Sequence, residues 1–120
     1  VALLAAFRIF EQYTAIMNRF TEITGFQWDE GNLLKNPEKH GVSNSESEEI
    51  FFNEPLIVTN DQKHSEIEPR WYALGKTNES RLLFTVFTIR HDKIRIISSR
   101  EMNNKERGIY ENTEKNSARI

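Results

Sequence analysis

Leu82-Leu83-Phe84-Thr85-Val86-Phe87-Thr88-Ile89-Arg90, then His91-Asp92-Lys93, then Ile94-Arg95-Ile96-Ile97-Ser98-Ser99-Arg100 is the stretch that decides the fold. Both apolar runs are rich in β-branched and aromatic residues, which suit a pleated and partly buried strand. The connection between them is short and polar, too brief for a crossover helix, so the two strands pair antiparallel as a hairpin. In the first run Leu82, Phe84 and Val86 point to one face, and Leu83, Phe87 and Ile89 to the other. A strand apolar on both faces is covered on both, so this one is expected at the centre of the sheet.

Working outward, Arg70 to Lys76 reads as the preceding strand, joined through Thr77-Asn78-Glu79-Ser80, and Leu56 to Thr59 as the one before it. The sheet is therefore mostly antiparallel. Towards the N-terminus, Gly25-Phe26-Gln27-Trp28 is a short fifth strand candidate, and Asp29 is placed to cap a helix through about Lys39, ended by Gly41. Pro37 interrupts that helix and predicts a kink or restart near Asn36, because a straight run through it costs roughly 3 kcal/mol. Ser43 with Glu46 is a capping box for a second helix, whose Ile50, Phe51 and Phe52 are expected in the core before Pro55 stops it. A last helix runs from Met102 to about Asn112. The expected class is α+β: two N-terminal helices on a mostly antiparallel sheet of four to five strands, with a C-terminal helix.

The 120 residues suffice for one domain with its own core, expected over residues 17–112 with a polar tail at 113–120. Residues 1–16 carry Leu3, Leu4, Phe7 and Phe10 at helical spacing, and Met17-Asn18-Arg19-Phe20 reads like an N-terminus. The segment before it is then an upstream extension, or else a docking helix. No Cys is present, so neither disulfides nor thiolate metal sites are expected, and 28% charged residues argue for a soluble, cytoplasmic protein without a membrane span. The net charge of -2 hides an asymmetry. Residues 1–68 carry five Lys and Arg against twelve Asp and Glu, whereas residues 69–120 carry eleven against six. A basic half on an acidic chain attracts phosphate locally, although solvated strand edges also collect Lys and Arg.

Phe26-Gln27-Trp28-Asp29-Glu30-Gly31-Asn32, Lys35-Asn36 and Lys39-His40-Gly41-Val42 resemble the opening of the BrnT family of toxins. Later blocks agree in order: Ile50-Phe51-Phe52, Asp61 with Lys63-His64-Ser65, Glu68 with Arg70, Ala73-Leu74-Gly75, Arg81-Leu82-Leu83-Phe84, and Ile94 to Arg100. The chain departs at Asn32, where many members carry Lys, and at Pro37 and Glu101. The resemblance implies a RelE-like toxin of a type II toxin-antitoxin system that cleaves RNA and stops translation. It also implies a cognate antitoxin, a ribbon-helix-helix DNA-binding protein, with DNA bound only through the complex.

Cleavage of RNA by its own 2'-hydroxyl needs a base, positive charge around the phosphate, and an acid for the leaving oxygen, and none of these requires a metal or cofactor. His40 and His64 titrate near neutrality and are the acid and base candidates. Arg70 and Arg100 can clamp phosphate with two donors each, and Glu68 can orient one of them or act as a base. Lys35, Lys39, Arg90 and Arg95 are the candidate RNA-binding cations. Each has a plainer reading: His40 as the end of a helix, His64 as a solvated loop residue, the arginines as partners of Glu66, Glu68 or Glu101. In a regular strand Arg95 and Arg100 face opposite ways, which favours Arg100 at the strand end. Trp71 and Tyr72 could stack on bases, but aromatics in a strand more often pack in the core or on the sheet surface, so both stay out of the site. A non-catalytic module that binds RNA or the antitoxin is the alternative function.

Overall fold

The computed structural model describes residues 22–61, 63 and 68–118, the side chains of 117 and 118 excepted; residues 1–16 and His64 lie outside the described residues. The expected hairpin is its centre. Strands β4 (Leu82–Arg90) and β5 (Lys93–Glu101) are joined by His91 and Asp92, with φ of 49° and 65°. Two successive left-handed residues give the turn whose twist matches that of the flanking strands.

β3 (Trp71–Lys76) pairs antiparallel with β4, and β2 (Ile57–Asn60) antiparallel with β3, while β1 (Gly25–Phe26) joins β5 in parallel. The order β1-β5-β4-β3-β2 puts β4 in the middle, as its two apolar faces require. Before β2, helix α1 (Lys35–His40) and helix α2 (Asn44–Glu49) lead into a 3-10 turn, Ile50–Phe52. Helix α3 (Asn104–Ala118) ends the described chain and continues past Asn112, where the sequence suggested an end. No described helix is long and apolar enough to cross a membrane.

Pro37 occupies the third position of α1, where backbone N–H groups have no intrahelical partner, so it fixes the helix start instead of breaking the helix. Asp29 therefore caps no helix. Its Oδ1 accepts from the Gly31 N–H at 2.9 Å, and residues 30–34 are turns. The Ser43–Glu46 capping box is present on α2. After it Ile50 is buried and Phe51 packs on the core, but Phe52 is 77% exposed, contrary to expectation. Three consecutive residues of a 3-10 turn point in three directions, so they cannot all face inward.

One core layer forms between the sheet and α1, α2 and the 3-10 turn, around Val42, Ile50, Ala73, Leu83, Phe87 and Ile96. The other is smaller: Leu74, Met102 and Tyr110, with Ile57, Leu82 and Phe84 against them. Because β1 is only two residues long, part of the β5 edge needs other partners. Asn32 Nδ2 donates to the Ile96 and Gln27 carbonyls, both at 3.0 Å, and Asn36 Oδ1 accepts from the Ser99 N–H at 2.9 Å. Asn32 is thus a buried edge partner, 3% exposed.

The register of β4 with β5 shifts between the pairs Val86–Ser98 and Phe87–Ile96, leaving Ile97 as an extra residue. Ahead of it Ile94 and Ile96 face α2; beyond it Ser99 does, bonded to Ser47 and Thr85 at 2.9 Å each. Arg100 consequently emerges on the opposite face, its guanidinium 4.2 Å over the Phe84 ring.

α3 is mostly polar and is held at few points. Tyr110 is fully buried, and its hydroxyl donates to the Pro55 carbonyl at 2.7 Å. Burial, with Glu114 nearby, pushes its pKa up to about 12. At the N-terminus Asn103 and Glu106 form a reciprocal cap at 2.9 Å each way, while the Glu106 carboxylate also takes Arg100 Nη1 at 2.8 Å and Nη2 at 3.0 Å.

Two predictions follow from this packing. An Ala at Gly75 would bring its Cβ to 2.8 Å from Ile50 Cβ and 3.3 Å from the Ile50 carbonyl, so Gly75→Ala lowers stability by about 1–3 kcal/mol. Gly108, in α3, meets nothing within 4 Å, and Gly108→Ala raises stability by about 0.5–1 kcal/mol. Urea melts of the two variants check both signs. For Glu106, burial alone raises the carboxyl pKa, but Arg100 and the Asn103 N–H outweigh it and hold the group below its ordinary value. A depressed carboxyl contributes stability above its unfolded pKa and loses it as pH falls through the folded one. Glu106→Gln therefore costs about 1 kcal/mol at pH 7, a modest figure because solvent screens the partly exposed Arg100. Its Tm gap from wild type closes as pH falls below the ordinary carboxyl value of 4.5, and a gap that stays constant on acidification contradicts the assignment.

Candidate functional site

The two faces of the sheet are covered unequally. α2, the 3-10 turn and the end of α1 close one face, while on the other α3 is fixed at Pro55, Lys76, Leu74 and Phe84. Residues opposed across an antiparallel ladder share a face, so the pairings divide this second face into rows. Ile57, Leu74, Phe84 and Arg100 make the row beneath α3. Thr59, Tyr72, Val86 and Ser98 make the next, and all four are half-exposed. Thr88 and Arg95 follow, with Arg70 one residue ahead of β3 on the Tyr72 side of the alternation. Arg90 and Lys93 close the series at the turn.

This open half gathers charge. Arg90 Nε and Nη2 hold Glu68 at 2.9 and 2.7 Å, and Arg95 Nη1 and Nη2 hold Asp29 at 2.8 and 2.9 Å. The Arg90 hydrogen bonds keep the Glu68 carboxyl below its ordinary pKa despite some burial, and Arg70 and Arg95 add to the effect. Arg95 and the Gly31 N–H do the same for Asp29. Arg95 also crosses Gly31 so closely that a Cβ there would stand 2.8 Å from Nη2. Each two-point pair leaves guanidinium N–H donors uncommitted on Arg90 and Arg95, because the group carries five.

The sequence candidates separate into groups. Glu68, Arg70, Arg90 and Arg95 come together on the open half. Arg100 shares their face, contrary to the regular-strand argument, because the extra Ile97 resets the alternation; it sits at the α3 end, clasped by Glu106. Lys35 opens α1, exposed, beside the β5 edge, and Lys39 and His40 lie at its other end. There the Gly41 carbonyl accepts from Arg81 Nη1 at 3.0 Å. Arg81 precedes β4 and Arg90 ends it, so His40 stands towards the opposite end of the strands from Arg90. The structure does not bring His40 to the arginines. Among the described residues no group of three or more His, Cys, Asp or Glu is placed to hold a metal ion.

One member of the open half was missed from the sequence. Asp29 was read as a helix cap, and its partner Arg95 lies 66 residues away. Trp71 and Tyr72, read as core or sheet-surface packing, divide by alternation. Trp71 is core, 5% exposed and stacked on Phe87 at 5.9 Å, while Tyr72 stacks on Phe84 on the other face.

No curated protein matches the chain. The family described as "Ribonuclease toxin, BrnT, of type II toxin-antitoxin system" matches residues 28–106, from Trp28 beside Asp29 to the Glu106 that clasps Arg100. Covering most of the chain, that match shows that this protein belongs to the BrnT family of ribonuclease toxins of type II toxin-antitoxin systems.

Proposed function

We propose that the chain is a metal-independent endoribonuclease that cuts RNA through the substrate's own 2'-hydroxyl, inhibits translation, and is neutralised by a cognate ribbon-helix-helix antitoxin. The observation that carries this reading is the convergence of Arg70, Arg90, Arg95 and Glu68 on the half of the sheet face that α3 does not cover, in a member of a ribonuclease family. The guanidiniums supply fixed positive charge where the phosphate gains negative charge in the transition state, the role a metal fills elsewhere. Glu68, with its pKa held down by Arg90, is a weak base and serves to aim that arginine. His64, in the connection between β2 and β3, is the proton-transfer group. Arg100 takes a secondary place because Glu106 already occupies its two-donor edge.

An acidic antitoxin segment laid over the same face would neutralise the charge and block access together, and DNA would be met only through that partner. One observation favours the non-catalytic alternative: Arg90 and Arg95 are each already paired with a carboxylate of the chain. Activity decides between the two.

Purified protein is expected to cleave RNA in EDTA and to leave 2',3'-cyclic phosphate ends. Arg95→Ala and Arg70→Ala lower the rate by about 10²- to 10³-fold with the fold intact. Arg95→Lys fares little better, since it keeps the charge and loses the fork. His64→Gln flattens one limb of the pH-rate profile. Cleavage that EDTA abolishes and a divalent cation restores refutes the metal-free mechanism. Folded arginine variants as active as wild type refute the site.

A further inference from the structure

Tyr72 occupies the row between the arginines and α3, and nothing in the proposed cleavage chemistry uses it. Its ring is fixed. It stacks on Phe84 with centroids 5.6 Å apart and planes 30° from parallel, and Phe84 in turn lies under the Arg100 guanidinium at 4.2 Å. Arg100, held by Glu106, therefore braces an aromatic pair whose outer member borders the arginine cluster. Its neighbours in the row are Val86 and Ser98, and the ring itself is partly exposed. One ladder row, about 6.6 Å along the strands, separates Tyr72 from Arg70.

A rigid, partly exposed ring one row from guanidiniums suits a nucleotide whose base stacks while its backbone phosphates meet the cations. Bases in a duplex are stacked on each other and cannot reach such a ring. We propose that Tyr72 is the stacking platform for an unpaired base, so that the open half of the sheet selects single-stranded RNA. This rests on the ribonuclease reading above and assigns its substrate class. The ring is already ordered in the protein, so little side-chain entropy is lost when the base arrives.

The test uses the full chain and a single-stranded 2'-O-methyl RNA, which cannot cleave, beside the blunt duplex of that strand with its complement, with binding read by fluorescence anisotropy. Tyr72→Leu is expected to weaken single-strand binding by roughly 5- to 150-fold, the range of one base stack. Duplex binding stays within about twofold, well below the effect of one stack, and Tyr72→Phe matches wild type on both. Should Tyr72→Leu fail to fold, 5-iodouridine RNA photo-crosslinked to wild type and mapped by mass spectrometry decides. Attachment at Tyr72 supports the proposal, and attachment confined to other residues overturns it. A folded Tyr72→Leu that binds single strands like wild type, or loses both RNAs equally, also overturns it. Wild type that binds through Tyr72 without cutting RNA sinks the ribonuclease reading alone; wild type that cuts RNA while Tyr72→Leu binds normally sinks only the platform.

Discussion

β5 carries one residue more than its partner strand needs, and the extra residue is Ile97. Had the strand kept a regular two-residue alternation, Ile94, Ile96, Ser98 and Arg100 would all face α2, driving a guanidinium into the apolar layer around Ile50. An unpaired charge there costs far more than a local break in the ladder. The shift instead turns Ser99 inward, where Ser47 and Thr85 satisfy it, and sends Arg95 and Arg100 out on the same side. The row of cations on the second face depends on that one residue.

Among the described residues, α3 covers only part of the second face. α3 has little apolar surface, and Ile109 is 48% exposed, so the helix docks mainly through Tyr110, Met102 and the Arg100–Glu106 clasp. That anchors it over one end of the strands and leaves the other end to polar side chains. Among the described residues Glu46, Glu48 and Glu49 belong to α2 on the closed face, while Arg70, Arg90 and Arg95 border the open one, interleaved with Glu68 and Asp29. The same clasp that seats α3 also holds Arg100 against Phe84, so the helix cap and the edge of the open face share Glu106.

Local signals in the sequence were read well. The hairpin, the central position of β4 and the Ser43–Glu46 cap all follow from patterns within a few residues of one another. Interactions between distant residues were not legible. Asp29 with Arg95 spans 66 positions and Glu68 with Arg90 spans 22, and no periodicity announces either. The phase shift in β5 did leave a trace: the doubled Ile96-Ile97 and Ser98-Ser99 break the alternation, and arginines five apart fit one face only if a residue is extra. Phe52 failed for a related reason, since a helical period was extended into a turn that winds more tightly. Asp29 was misassigned because Pro37 two turns on, and not the first capping residue, decided where α1 begins.

The central claim, that RNA is bound on the open half of the sheet, is tested most directly by amide chemical-shift mapping. ¹⁵N-labelled protein is titrated with a short single-stranded 2'-O-methyl RNA at low salt. The account predicts that the largest shifts fall on Arg70, Tyr72, Thr88, Arg90 and Arg95, with α1 and α2 nearly silent. Shifts concentrated on Lys35, Lys39 and His40, with the β3–β5 rows unmoved, would contradict it and transfer the site to the helical face.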